Sequence, residues 1–170
     1  MNIIIKKLYW IVAAMLLILV AGCADDTVAD TKQQVATTAQ ALVTLDVYKS
    51  PTCDCCRKWV DHIDTVGFQA ATHHPSDLNL VKQQLGVAPQ YQSCHTGVSK
   101  EGYIFEGHVP ADIMQKFLAE KPKDALGLAV PGMPVGSPGM EMGDRYDDYD
   151  VLLLKKDGSS SVYARIRHQG

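Results

Sequence analysis

The sequence predicts an α/β domain in which a β-α-β-α-β-β-α core is followed by a Gly/Pro/Met-rich loop and a C-terminal β-hairpin. Three observations predict it. Apolar residues switch between strand and helix spacing through the first half of the chain. Lys100-Glu101-Gly102 and Asp157-Gly158 are hairpin turn signals. Residues 127–143 (GLAVPGMPVGSPGMEMG) are dense in Gly and Pro, which predicts neither a regular helix nor a central strand there.

Residues 42–48 alternate Val43, Leu45 and Val47 against Thr44, Asp46 and Tyr48, a strand with one apolar face. Lys49-Ser50-Pro51-Thr52 breaks it. Residues 54–66 carry Cys56, Trp59, Val60, Ile63 and Val66 at helical spacing, and Gly67 is a natural stop. Residues 68–72 read as a second strand. Ser76 or Asp77 caps a short helix presenting Leu78, Val81 and Leu85, closed by Gly86. His95–Ser99 and Tyr103–Glu106 flank the first hairpin turn. Pro110 fits the first position of a helix carrying Ile113, Met114, Phe117 and Leu118, and Pro122 limits it. Residues 149–155 and 160–166 form the terminal hairpin. The element order is that of a thioredoxin-like core.

At 170 residues one folded domain is expected, and the appendages lie at the start. Residues 8–21 are uniformly apolar behind Lys6 and Lys7. As a helix this run rises about 21 Å, short of a bilayer core of about 30 Å, which rules out a multi-span membrane protein and fits an export signal. Val20-Ala21-Gly22-Cys23 resembles a lipoprotein processing site, with Cys23 as the lipid-bearing first residue. Residues 1–22 are thus expected to be a signal peptide, 23–41 a polar tether and 42–170 the folded domain. The expected location is the bacterial cell envelope, facing the periplasm, with membrane contact only through the lipid. Ala24 after Cys23 leans towards the outer membrane; a soluble periplasmic form is the alternative. Removing residues 1–22 takes away two Lys and no acid, leaving 14 basic against 19 acidic residues, a net −5. No basic stripe appears, which argues against a nucleic-acid partner.

Cys53-Asp54-Cys55-Cys56 lies where a strand enters a helix, and Ser93-Cys94-His95-Thr96 enters the third strand. Helix N-termini favour thiolates, and Arg57 and Lys58 are expected to add positive charge nearby. Two chemistries need such an arrangement. One is thiol–disulfide exchange, with Cys53 attacking and Cys56 resolving. The other is soft-metal binding, since crowded thiolates repel and need cations: Cu(I) favours thiolate and thioether donors, and Zn accepts four thiolates. The structural alternative is a disulfide with a bystander cysteine. Cys55 favours the metal. A third thiol would divert a mixed disulfide into wrong bridges, whereas a multinuclear cluster gains from it. Cys94 is expected to face the Cys53–Cys56 turn. Strand alternation would send His95 away from Cys94, unless the strand entry is irregular. His108 is a ligand, a supporting group or a packing residue. Met133, Met140 and Met142 sit among Gly and Pro; Met133 and Met140 are candidate thioether donors, with core filling as the bland reading. Adjacent His73 and His74 face opposite ways on a strand and do not suit joint ligation. The acidic run 144–150 reads as a solvated connector.

These motifs, with Trp59, Glu106-Gly107-His108-Val109-Pro110 and the blocks from Pro131 to Glu141, resemble those of the CopG-type periplasmic copper-resistance proteins. The resemblance spans most of residues 45–166. It implies a thioredoxin-like core, a cysteine-bridged multinuclear copper cluster and a role in envelope copper handling, with other copper-handling proteins as partners. Carried over by position, Cys53, Cys55, Cys56 and Cys94 would be the cluster thiols, with His95 and His108 contributing. The expected function is to hold Cu(I) for copper resistance; interconversion with Cu(II) would make the protein a copper oxidoreductase. The rival reading is a thiol–disulfide oxidoreductase using Cys53 and Cys56, and a third is a zinc-stabilised module.

Overall fold

The computed structural model describes residues 42–168. The expected signal segment, the expected lipid-bearing residue Cys23 and the expected tether up to residue 41 lie outside them. Among the described residues no helix is long and apolar enough to cross a membrane.

The domain is α/β, with three helices and one mixed sheet of seven strands. In chain order these are β1 (Val43–Lys49), α1 (Asp54–Asp64), β2 (Phe68–His73), α2 (Leu78–Gln84), a 3₁₀ turn at Pro89–Tyr91, β3 (His95–Ser99), β4 (Ile104–Glu106), α3 (Ala111–Glu120), β5 (Ala125–Ala129), β6 (Tyr149–Lys155) and β7 (Ser160–Ile166). The spatial order is β2-β1-β3-β4-β5-β6-β7. β1 runs parallel to β2 and antiparallel to β3, β3 is antiparallel to β4, and β4 is parallel to β5. β5-β6-β7 complete the sheet as an antiparallel meander.

Local signals act much as the sequence suggests. Gly67 turns the chain out of α1 at φ 98°, and the Asp77 side chain caps α2 by accepting from Leu80 N at 2.9 Å. Pro110 stands one position earlier than expected, as the residue preceding α3. On α2 the fully buried residue is Lys82, while Leu78, Val81 and Leu85 are half-buried.

The Gly/Pro reading fails at its start. Residues 125–129 are a central strand, paired on both sides. A Cβ at Gly127 would lie 1.9 Å from the Ile104 carbonyl oxygen, so this glycine permits close strand packing rather than breaking a strand.

The core lies between the sheet and the α1/α3 layer. Leu45, Val47, Trp59, Ile63, Phe105, Met114, Phe117, Leu128 and Val151 are all buried there. Phe117 meets Tyr103, Phe105 and Tyr163 edge to face, tying α3 to β4 and β7.

Topology brings four chain segments to one end of the sheet. Lys49, the last residue of β1, pairs with His95, the first of β3. Thr96 pairs with Glu106, the last residue of β4, and Glu106 with Ala129, the last of β5. The turn into α1, the entry to β3, the exit from β4 and the loop after β5 therefore share one rim.

Candidate metal centre

Cys53 is the N-cap of α1, its extended backbone turning the chain from Ser50-Pro51-Thr52 into the helix. Its sulfur accepts from Cys56 N at 3.3 Å, taking up one of the free helix-start N–H groups. Cys53 and Cys56 are joined as a disulfide, whereas Cys55 and Cys94 are free thiols. Cys55 donates to Cys53 Sγ at 3.5 Å, and Cys56 Sγ lies 3.7 Å from the Cys94 carbonyl oxygen. All four sulfurs lie within 4.8 Å of one another.

Cys94 also belongs to a second group. Its sulfur is 3.0 Å from His108 Nε2 and 3.3 Å from His95 Nδ1, and ligand atoms of these three residues again lie within 4.8 Å of one another. His108 Nδ1 donates to the Pro138 carbonyl at 2.7 Å, which leaves Nε2 as the lone-pair nitrogen aimed at the thiol. His95 is fully buried between Trp59 and His108, with ring centroids 4.3 and 5.0 Å away, and its Nε2 has no hydrogen-bond partner. The alternation argument does not separate His95 from Cys94, because Cys94 precedes the regular strand and His95 begins it.

Burial sets the protonation states. It pushes the Cys94 thiol up to about 12, helped by the neighbouring Cys55. Burial likewise holds both imidazoles below their ordinary value, His95 strongly so, with His108 and the Lys82 charge adding to the effect on His95. At neutral pH the metal-free centre holds a protonated Cys94 beside two neutral imidazoles.

The positive charge expected from Arg57 and Lys58 does not face inward. Arg57 pairs with Asp54 at 2.7 Å and Asp61 at 2.9 Å, and Lys58 with Asp54 at 3.5 Å, all on exposed side chains.

The loop after β5 closes over this rim. Besides accepting from His108 at Pro138, it receives the Ser93 hydroxyl at the Gly132 carbonyl. Gly139, at φ 87°, lies against α1, where a Cβ would fall 2.7 Å from Cys55 O and 2.8 Å from Trp59 N. Met140 is half-buried beside it, while Met133 and Met142 are exposed. His73 and His74 stand apart from each other's partners, on Asp46 Oδ1 at 2.7 Å and the Lys49 carbonyl at 3.0 Å.

Sequence reasoning missed the polar core beneath the centre. Lys82, Thr96 and Glu106 are buried and mutually bonded, and Ser93 N donates to Glu106 at 2.6 Å. A lysine on a short helix reads as a surface residue, and its partner lies 24 positions away.

A family model described as a protein of unknown function, DUF411, matches residues 91–140. No curated protein matches the sequence. Two solved structures are similar to it. One, described as copper resistance protein CopG, form 2, shares 44% identity over 74% of this chain and 99% of its own, with a TM-score of 0.70. The other, described as form 1 of the same protein, shares 45% identity over 75% of this chain and 99% of its own, again with a TM-score of 0.70. With that identity across three quarters of its length, the chain belongs to the CopG copper-resistance protein family.

Proposed function

We propose that the protein holds Cu(I) at the rim described above, with Cys53, Cys55, Cys56 and Cys94 as thiolate donors and His95 and His108 as nitrogen donors. One observation carries this reading: two donor groups, one all-sulfur and one of mixed sulfur and nitrogen, share the single atom Cys94 Sγ. A thiolate can bridge two metals, so a shared sulfur suits several copper ions. The residues fit copper on their own chemistry. The donors are soft, both imidazoles are neutral, and the buried His95 carries a ring nitrogen with no partner. Bound copper would supply the positive charge that lets the buried thiols give up their protons. The β2-β1-β3-β4 arrangement with a cysteine turn at the start of α1 supports a thioredoxin-like core under this site.

The full donor set needs the Cys53–Cys56 disulfide reduced by an external dithiol, which supplies two electrons and two protons, is itself oxidised to a disulfide, and leaves two thiols here. That bond also favours a second reading, the thiol–disulfide oxidoreductase. Cys55 argues against it: a free thiol 3.5 Å from Cys53 Sγ can attack the same disulfide and scramble it. Interconversion of Cu(I) and Cu(II) is a further part of the proposal, as is export to the envelope on a lipid anchor at Cys23. The mass of the mature N-terminus tests the anchor.

The functional test is an anaerobic Cu(I) titration of fully reduced protein. More than one equivalent is expected, and Cys55→Ser lowers the number. An unchanged stoichiometry counts against a shared cluster. Metal analysis of the same sample separates copper from one equivalent of zinc. Fast insulin reduction that needs Cys53 and Cys56 but not Cys55 would favour the oxidoreductase.

A further inference from the structure

We infer that Glu106 is a positioning residue for the nitrogen-bearing half of the centre, and that Lys82 is buried in order to hold it. This inference rests on the proposed copper site. The carboxylate reaches both segments that carry the donors. Oε1 accepts from Ser93 N at 2.6 Å, one residue before Cys94, and Oε2 accepts from the Thr96 hydroxyl at 2.6 Å, one residue after His95. Glu106 itself stands two residues before His108, at the paired end of β4. One side chain thus fixes Cys94, His95 and His108 relative to one another.

Lys82 locks the carboxylate from α2, donating to Oε1 at 2.5 Å and to the Thr96 hydroxyl at 2.9 Å. Lys82, Thr96 and Glu106 are each no more than 1% exposed. A buried ion pair is a poor stabiliser, because desolvation offsets the attraction and apolar replacements often serve as well. Its position explains it better. The pair is neutral overall, so it adds no net charge beside a site that must gather thiolates. It holds both carboxylate oxygens in hydrogen bonds, which opposes rotation towards an incoming metal. The exit from β4 is equally constrained. Gly107, at φ 73°, has no room for a Cβ, which would lie 2.5 Å from Val130 O and 2.7 Å from Ser93 Cβ.

The test compares two double variants that both remove the buried ion pair. Lys82→Met/Glu106→Gln keeps the clamp: the amide oxygen still accepts from Ser93 N, and the amide nitrogen donates to the Thr96 hydroxyl that Lys82 has vacated. Lys82→Met/Glu106→Leu removes the clamp. Thermal unfolding establishes that each is folded. Anaerobic Cu(I) affinity, by competition with a colorimetric chelator, is expected to stay near wild type in the first. In the second it falls at least about tenfold, the range usual for lost support behind a ligand. X-ray absorption of the copper-loaded second variant shows fewer nitrogen neighbours. Equal affinity in the two variants overturns the inference. If the leucine variant does not fold, Thr96→Val cuts one arm without changing shape: a few-fold loss supports the clamp, and wild-type binding overturns it. The metal-free protein supplies an independent reading. The His108 Nδ1 proton, bonded to Pro138, exchanges slowly with water in wild type and the glutamine variant and rapidly in the leucine variant. That arm stands even where copper binding fails, so failure of the site and failure of the clamp are distinguishable.

Discussion

The two halves of the centre are built in opposite ways. The cysteine turn is contiguous, sits at a helix start and closes on itself as a disulfide. The Cys94–His95–His108 corner is assembled from two strand ends, with both histidines fully buried and a bonded polar core beneath them. The first half changes its number of free thiols with redox state, whereas no side chain of the second takes part in the disulfide. On the proposed function, capacity and geometry fall to different segments, joined at one sulfur.

The sharpest way to break this comparison is to remove the joint. Cys94→Ser takes a donor from both halves, so Cu(I) affinity is expected to fall by more than the roughly 10–100-fold typical of losing a supporting group. Competition titration measures it. A loss confined to one equivalent, with the rest bound at wild-type strength, would show that the halves act separately.

A smaller effect is expected where the covering loop touches the cysteine turn. Gly139→Ala forces a side chain onto backbone atoms of Cys55 and Trp59 at a positive φ. A destabilisation of about 1–3 kcal/mol follows, read by denaturant unfolding. The Pro138 hold on His108 weakens with it, while the Cys53–Cys56 disulfide still forms.

The gentlest probe is pH. Cys94 is raised from 9.0 to about 12, so the unfolded chain loses this proton first. Stability of the metal-free protein therefore declines as pH rises from about 9 towards 12. Both imidazoles are held below 6.5, so the unfolded chain gains their protons first, and stability declines as pH falls below that value. A plateau from 6.5 to 9 is expected in urea midpoints. Between those limits Cu(I) bound at Cys94 would release the one thiol proton of that residue, and calorimetry in buffers of different ionisation enthalpy, compared with Cys94→Ser, counts it. A flat profile on the acid side would mean that the corner is not buried in solution.

Much of this arrangement is legible in the chain itself. The cysteine turn, its place at a helix start and both hairpins follow from spacing and turn residues, because those are local constraints, and the approach of Cys94 follows only once the order of the elements is taken to be thioredoxin-like. β5 does not follow from spacing, because Gly127 is where Ile104 leaves no room for a Cβ, and a glycine needed for packing looks like one needed for a bend. The clamp is equally hidden. Lys82 and Glu106 are ordinary surface types, and only the tertiary fold, which brings the Lys82 side chain of α2 to Thr96 on β3 and Glu106 on β4, buries them. His95 falls between these cases. Its pairing with Cys94 depends on where the regular strand begins, which periodicity locates only to within a residue or two.

The outward face of α1 carries a consequence for how metal is delivered. Arg57 and Lys58 are matched there by Asp54 and Asp61, so the first two turns of the helix carry no net charge beside the cysteine turn, and Asp64 adds one negative charge at the far end. Attraction from this face then contributes little to arrival, and any ionic-strength dependence in the capture of a charged copper chelate reports the net negative charge of the rest of the domain.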